Sequence, residues 1–104
     1  DLCTVSAAKT VKPVPAAPVV SAKASKGKVT ISWGKVNGAT KYEVYKYNGS
    51  KGKYVRVATK AMTSYADKQV KKGYKYSYKV KAYRLVNGKK VYGNFSKIVR
   101  CTAK

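Results

Sequence analysis

The sequence contains no histidine at all, and only three acidic side chains: Asp1, Glu43 and Asp67. Without histidine, acid–base catalysis near neutral pH lacks its usual agent. With two cysteines far apart, at Cys3 and Cys101, no metal cluster and no Cys–His dyad can be assembled. Glu43 and Asp67 are the only acids beyond the first residue, and the preference of carboxylates for water places both on solvated strand surfaces. The glycines match no phosphate-cradling loop. No apolar run approaches the roughly 18 residues of a membrane span. The residues point to no enzyme, no cofactor and no membrane-spanning segment.

What is present is positive charge. Lysine and arginine number 24, almost all of them lysine, for a net charge of +21 over 104 residues. Such a length accommodates one domain. A charge of this size draws the molecule toward polyanions: nucleic acid in a non-specific manner, an anionic wall polymer, or an acidic polysaccharide. The charge is spread along the chain, and lysine on exposed strands also blocks edge-to-edge aggregation. Beginning at Asp1 rather than Met, with no signal peptide, the chain reads as a processed mature protein or an excised portion of a longer one.

The first eighteen residues differ in composition from the rest. Leu2, Val5, Val11 and Val14 give a mildly apolar arm able to add to a neighbouring sheet. Lys12-Pro-Val-Pro-Ala-Ala-Pro18 reads as an extended polyproline segment, because each proline fixes φ and removes a donor. From residue 19 to 104 short strands alternate with Gly, Asn and Lys clusters. The alternation predicts strands over 19–25, 28–33, 41–47, 54–59 and 63–67. The longest pattern, 73–86, places Tyr74, Tyr76, Tyr78 and Val80 on one face, with Lys75, Lys79, Lys81 and Tyr83 on the other. Asn87-Gly88 is a two-residue hairpin signal. Pairing resumes at Val91 and Tyr92, and 95–103 forms the final strand. No stretch shows helical periodicity, so the class is all-β.

The runs Val29-Thr-Ile-Ser-Trp33, Gly38-Ala-Thr-Lys-Tyr-Glu-Val-Tyr45 and Val70-Lys-Lys-Gly-Tyr-Lys-Tyr76 resemble a fibronectin type III domain. The version they are most similar to is common in secreted and wall-attached bacterial proteins. The resemblance covers residues 19–104 and implies a seven-stranded antiparallel β-sandwich. It makes Trp33, Tyr42, Val44 and Val80 core residues, and Tyr76 the tyrosine corner whose hydroxyl returns to nearby backbone. It further implies a secreted or cell-surface location that permits disulfides.

Three fates of the cysteines stay open. A Cys3–Cys101 bridge within one chain would close a loop worth about 4–5 kcal/mol by chain entropy. A bridge from Cys3 of one copy to Cys101 of the next would link subunits head to tail, a contact that propagates into filaments. Alternatively Cys101, which shares parity with Val99, is a small buried hydrophobe. Two functions follow as expectations. One is a non-enzymatic structural or adhesion module that self-associates through its arm and disulfides. The other is a polybasic module that grips anionic polymers through Lys75, Lys79, Lys81 and Tyr83.

Overall fold

The computed structural model describes residues 15–104, and the expectations for Leu2, Cys3, Val5, Val11 and Val14 lie outside that range. Eight strands follow in order: β1 (Val20–Ser25), β2 (Lys28–Trp33), β3 (Lys41–Asn48), β4 (Lys53–Lys60), β5 (Ser64–Asp67), β6 (Lys75–Val86), β7 (Lys89–Tyr92) and β8 (Val99–Thr102). Strands β1, β2 and β5 form one antiparallel sheet. The other has the order β4-β3-β6-β7, with β8 also pairing β6.

The count is eight where the family pattern implied seven, because the chain after the hairpin is interrupted. Strand β7 pairs with residues 83–86 of β6, and β8 pairs with residues 75–78. Between them Ser96 stands in for regular pairing. Its N–H donates to the Val80 carbonyl at 2.7 Å, and its Oγ accepts from the Val80 N–H at 2.9 Å. The central stretch of β6 therefore keeps its backbone groups satisfied without a continuous partner strand.

The hairpin between β6 and β7 turns at Asn87 (φ 52°) and Gly88 (φ 79°), both left-handed as a type I′ turn requires. Asn48 folds the β3–β4 loop back, its Oδ1 accepting from the Lys51 N–H at 3.1 Å.

The core lies between the sheets. Val29, Ile31 and Trp33 alternate inward from β2, Tyr42 and Val44 from β3, and Tyr78, Val80 and Ala82 from β6; all are buried. Trp33 meets Tyr42 edge to face with ring centroids 5.6 Å apart. The Tyr42 hydroxyl accepts from the Val36 N–H at 2.9 Å, whereas Trp33 Nε1 is buried without a hydrogen-bond partner among the described residues. At the corner before β6, the Tyr76 hydroxyl accepts from the Lys71 N–H at 2.8 Å. The Tyr76 ring itself is only half-buried. Tyr74, placed inside by parity, is 62% exposed because the chain reaches it before the sheets close over β6.

Both interior acids are also buried, contrary to the surface placement expected of them: Glu43 is 0% and Asp67 1% exposed. Each found enough donors to offset its desolvation. Asp67 sits at the end of β5, between the sheets. It accepts from the Tyr78 hydroxyl at 2.6 Å and the Gln69 N–H at 2.9 Å, and pairs with Lys46 Nζ at 2.8 Å. Lys46 Nζ donates also to the Gln69 carbonyl at 2.7 Å and lies over the Tyr76 ring. Cys101 pairs across to Tyr76, is half-buried against the core, and forms no disulfide among the described residues.

Candidate functional site

The outward face of the larger sheet gathers the residues that sequence spacing could only suggest. On β3 and β6 the odd positions point outward: Glu43, Tyr45 and Tyr47 on one, and Lys79, Lys81 and Tyr83 on the other. On β4 a bulge opposite Val44/Tyr45 changes the parity. Tyr54 and Arg56, at even positions, then lie opposite Tyr47 and Tyr45 on this face. Val57 is the residue displaced, which leaves it 40% exposed, and Ala58 packs inward in its place. Lys90 and Tyr92 enter from β7, and Phe95 arrives from the interrupted segment after it.

Three edge-to-face aromatic pairs cross this face. Tyr47 meets Tyr54 at 5.3 Å, Tyr45 meets Phe95 at 5.0 Å, and Tyr83 meets Tyr92 at 5.6 Å between centroids. Ammonium groups sit between them. Lys79 Nζ is 3.9 Å from the Phe95 centroid and 4.6 Å from that of Tyr54. Lys81 Nζ is 4.0 Å from Tyr92, 4.8 Å from Phe95 and 5.3 Å from Tyr45. Lys90 Nζ lies 4.8 Å from Tyr83. Ring quadrupoles attract each cation and hold its long side chain flat on the sheet.

One carboxylate anchors the array. Glu43 Oε1 accepts from the Tyr45 hydroxyl at 3.0 Å. Its Oε2 accepts from Tyr92 at 3.1 Å and Arg56 Nη1 at 3.2 Å, with Lys90 Nζ at 3.6 Å. Burial raises the Glu43 pKa, but the hydrogen bonds from Tyr45, Tyr92 and Arg56 outweigh it and hold the carboxyl below its ordinary value. Conversely, burial and the bond to Glu43 push the Tyr45 phenol up to about 12. Two cations, Arg56 and Lys90, thus face one fully engaged carboxylate, while Lys79 and Lys81 rest on the rings beside it.

This geometry brings Lys79 and Lys81 together with Tyr45 and Tyr47, and it corrects the reading of Tyr83. That ring is only 4% exposed, covered by Lys90 and Tyr92, so it supports the face from beneath. Lys75 is exposed and makes no cation–ring contact among the described residues. Tyr54, Lys90, Tyr92 and Phe95 were missed because they join only through a bulge, a hairpin register and an interrupted strand. Glu43 and Asp67 lie on opposite sides of the larger sheet, so the two carboxylates cannot flank a common bond.

Two packed antiparallel sheets, a core tryptophan on the second strand and a tyrosine corner before the sixth define an immunoglobulin-like β-sandwich. Solved structures narrow the class. The chain is similar to FN3tt mut (25% identity, TM-score 0.70, covering 86% of this chain and 96% of that one). It is similar too to an Fn3-like protein from Clostridium thermocellum (29% identity, TM-score 0.56, covering 82% and 88%). A β-1,2-glucanase from Parabacteroides distasonis shares the fold over 86% of this chain and 13% of its own, at 28% identity and TM-score 0.70. No protein-family profile matches the sequence, and no curated protein does. The chain has a fibronectin type III-like fold.

Proposed function

We propose that this chain is a non-enzymatic attachment module that holds an extracellular protein against an anionic polymer at or near a cell surface. The observation that carries the reading is the outer face of the larger sheet, where Lys79, Lys81 and Lys90 lie against aromatic rings while Arg56 and Lys90 pair with the buried Glu43. Ordering these side chains in advance lowers the entropy cost of binding. The net charge of +21 supplies long-range attraction. The β-1,2-glucanase, where a similar fold makes up a small part of a longer chain, fits an accessory role. Binding to an immobilised polyanion tests this. The observed affinity is expected to fall log-linearly with salt, as counterion release requires. Salt-independent binding, or no retention at low ionic strength, overturns it.

Self-assembly is the second reading, and the position of Cys101 is what it would use. It lies on β8, which pairs only with β6 among the described residues, and is half-buried against the core. An arm carrying Leu2, Val5, Val11 and Val14 would add to a neighbouring sheet, and Cys3 would lock the contact. Native material is then expected to run as a ladder in non-reducing electrophoresis; a lone monomer band rules out covalent linkage.

A further inference from the structure

We propose that the outer face is a binding track for a linear polyuronate, a polysaccharide with a carboxylate on every sugar; this rests on the attachment reading. The contacts on the face follow one another in a fixed sequence: an aromatic pair, Lys79, a second pair, Lys81, a third pair, then Lys90. Lys79 and Lys81 stand two residues apart on β6, so their backbone positions are about 7 Å apart and both side chains leave the same face. A polymer complementary to this track must offer a ring with an apolar face and a negative group at each repeat. Polyuronates do so. Inorganic polyphosphate has the charge without the ring.

Nucleic acid fits less well. Single strands are held by successive bases stacked on free aromatic faces. Here ammonium groups already lie over most of the rings, which leaves no run of open faces for consecutive bases. Two of the phenol groups, those of Tyr45 and Tyr92, are committed to Glu43. What remains available are the partly exposed Tyr47 and Tyr92 rings at the two ends of the track, and the ammonium protons not facing a ring. A carboxylate can take those protons while its sugar ring rests on the neighbouring aromatic.

Calorimetric titration of the full chain with four polymers tests the assignment: polygalacturonate, its fully methyl-esterified form, inorganic polyphosphate and oligo-dT. Polygalacturonate is expected to bind at least about tenfold more tightly than each of the other three. The ester lacks the charge that Lys79 and Lys81 would pair with. Polyphosphate lacks the ring, one stacked ring being worth about tenfold, and oligo-dT finds no run of open ring faces. In the Lys79→Gln/Lys81→Gln double variant, the dependence of log affinity on log salt should weaken by about 2. The Lys23→Gln/Lys28→Gln double variant removes the same charge from exposed positions on the other sheet and should leave binding within about twofold. Should the first variant fail to fold, Lys90→Gln, at a 41% exposed side chain, carries the test with a slope change of about 1.

Equal losses in the two double variants overturn the track. Polyphosphate or oligo-dT binding as tightly as polygalacturonate overturns the polyuronate assignment while leaving attachment to polyanions standing. Binding to no polymer overturns both.

Discussion

Tyr78 donates its phenolic hydrogen to Asp67 Oδ2 across 2.6 Å, in the closed space between the two sheets. Lys46 reaches the same oxygen from β3, and the Gln69 N–H holds the other. The cluster ties β3, β5 and β6 together, and so joins the small sheet to the large one by polar contacts as well as by packing. Because the pair is buried, removing one partner strands the other. Asp67→Ala is expected to cost about 3–5 kcal/mol in denaturant unfolding, since Lys46 loses its counterion in a largely dry site. Tyr78→Phe removes one donor of three and should cost about 1.5–3 kcal/mol. A smaller loss in Asp67→Ala than in Tyr78→Phe would show that the ion pair is not what holds this pole.

Acid should unfold the domain through two residues. Glu43 and Asp67 are both held below their ordinary values: burial raises each, but their hydrogen-bonded donors and paired cations outweigh it. A carboxyl depressed in the folded state stabilises the fold above its unfolded pKa, and that contribution is lost as pH falls through the folded value. Unfolding midpoints are therefore expected to hold steady above about pH 5 and to drop progressively below it. Repulsion within a chain of net charge +21 sharpens the drop as its few negative charges disappear. Glu43→Gln should flatten the profile; a profile identical to that of the unaltered chain would remove Glu43 from the acid transition.

At the alkaline end the phenols report directly. Burial and the bond to Glu43 raise Tyr45 to about 12, and burial with the Asp67 bond raises Tyr78. Tyr65 is raised by burial and the Asp67 charge, and Tyr92 by burial and its Glu43 bond. Unfolded tyrosine ionises near pH 10, so above that pH the folded chain binds more protons than the unfolded one and stability falls as pH rises. Ultraviolet titration of the ten tyrosines should show a group that ionises late, in step with unfolding. A single transition near pH 10 with the fold intact would show that partial burial and the neighbouring carboxylates do not hold these four phenols protonated.

Much of this architecture was legible because strand periodicity depends on one residue in two. Val29, Ile31 and Trp33, then Tyr42 and Val44, declare an inner face, and Asn87-Gly88 declares a turn, with no knowledge of neighbours. The outer face was harder. Parity places Tyr83 outside, and it does point outward, but only pairing with Tyr92 and the reach of Lys90 bury it. Glu43 also points outward, yet its burial depends on Arg56, which faces it only because of the β4 bulge. Asp67 points inward, against the general preference of carboxylates, because Lys46 and Tyr78 converge there from strands distant in sequence. Each departure comes from a partner on another strand, information that composition and spacing do not hold.

Gly93 offers a test of how residues just before β1 are seated. It lies in the interrupted segment after β7, where its N–H donates to the Ala82 carbonyl at 2.9 Å. A side chain there would overlap the Pro15 carbonyl, a rigid backbone group that cannot rotate away. Pro15 and Pro18 are both buried, so the end of the proline-rich stretch packs on the sandwich although it joins no sheet. Gly93→Ala must displace either Pro15 or the β7–β8 connection, at a cost of about 1–3 kcal/mol typical of overpacking. Hydrogen exchange separates the two responses. If Pro15 moves, the Gly93→Ala amide keeps its protection and exchange rises only near residues 16–19. If the connection moves, that amide and Ser96 exchange faster, and Phe95 is drawn away from Lys79 and Lys81. Unchanged stability and unchanged exchange would show that Pro15 does not rest against Gly93.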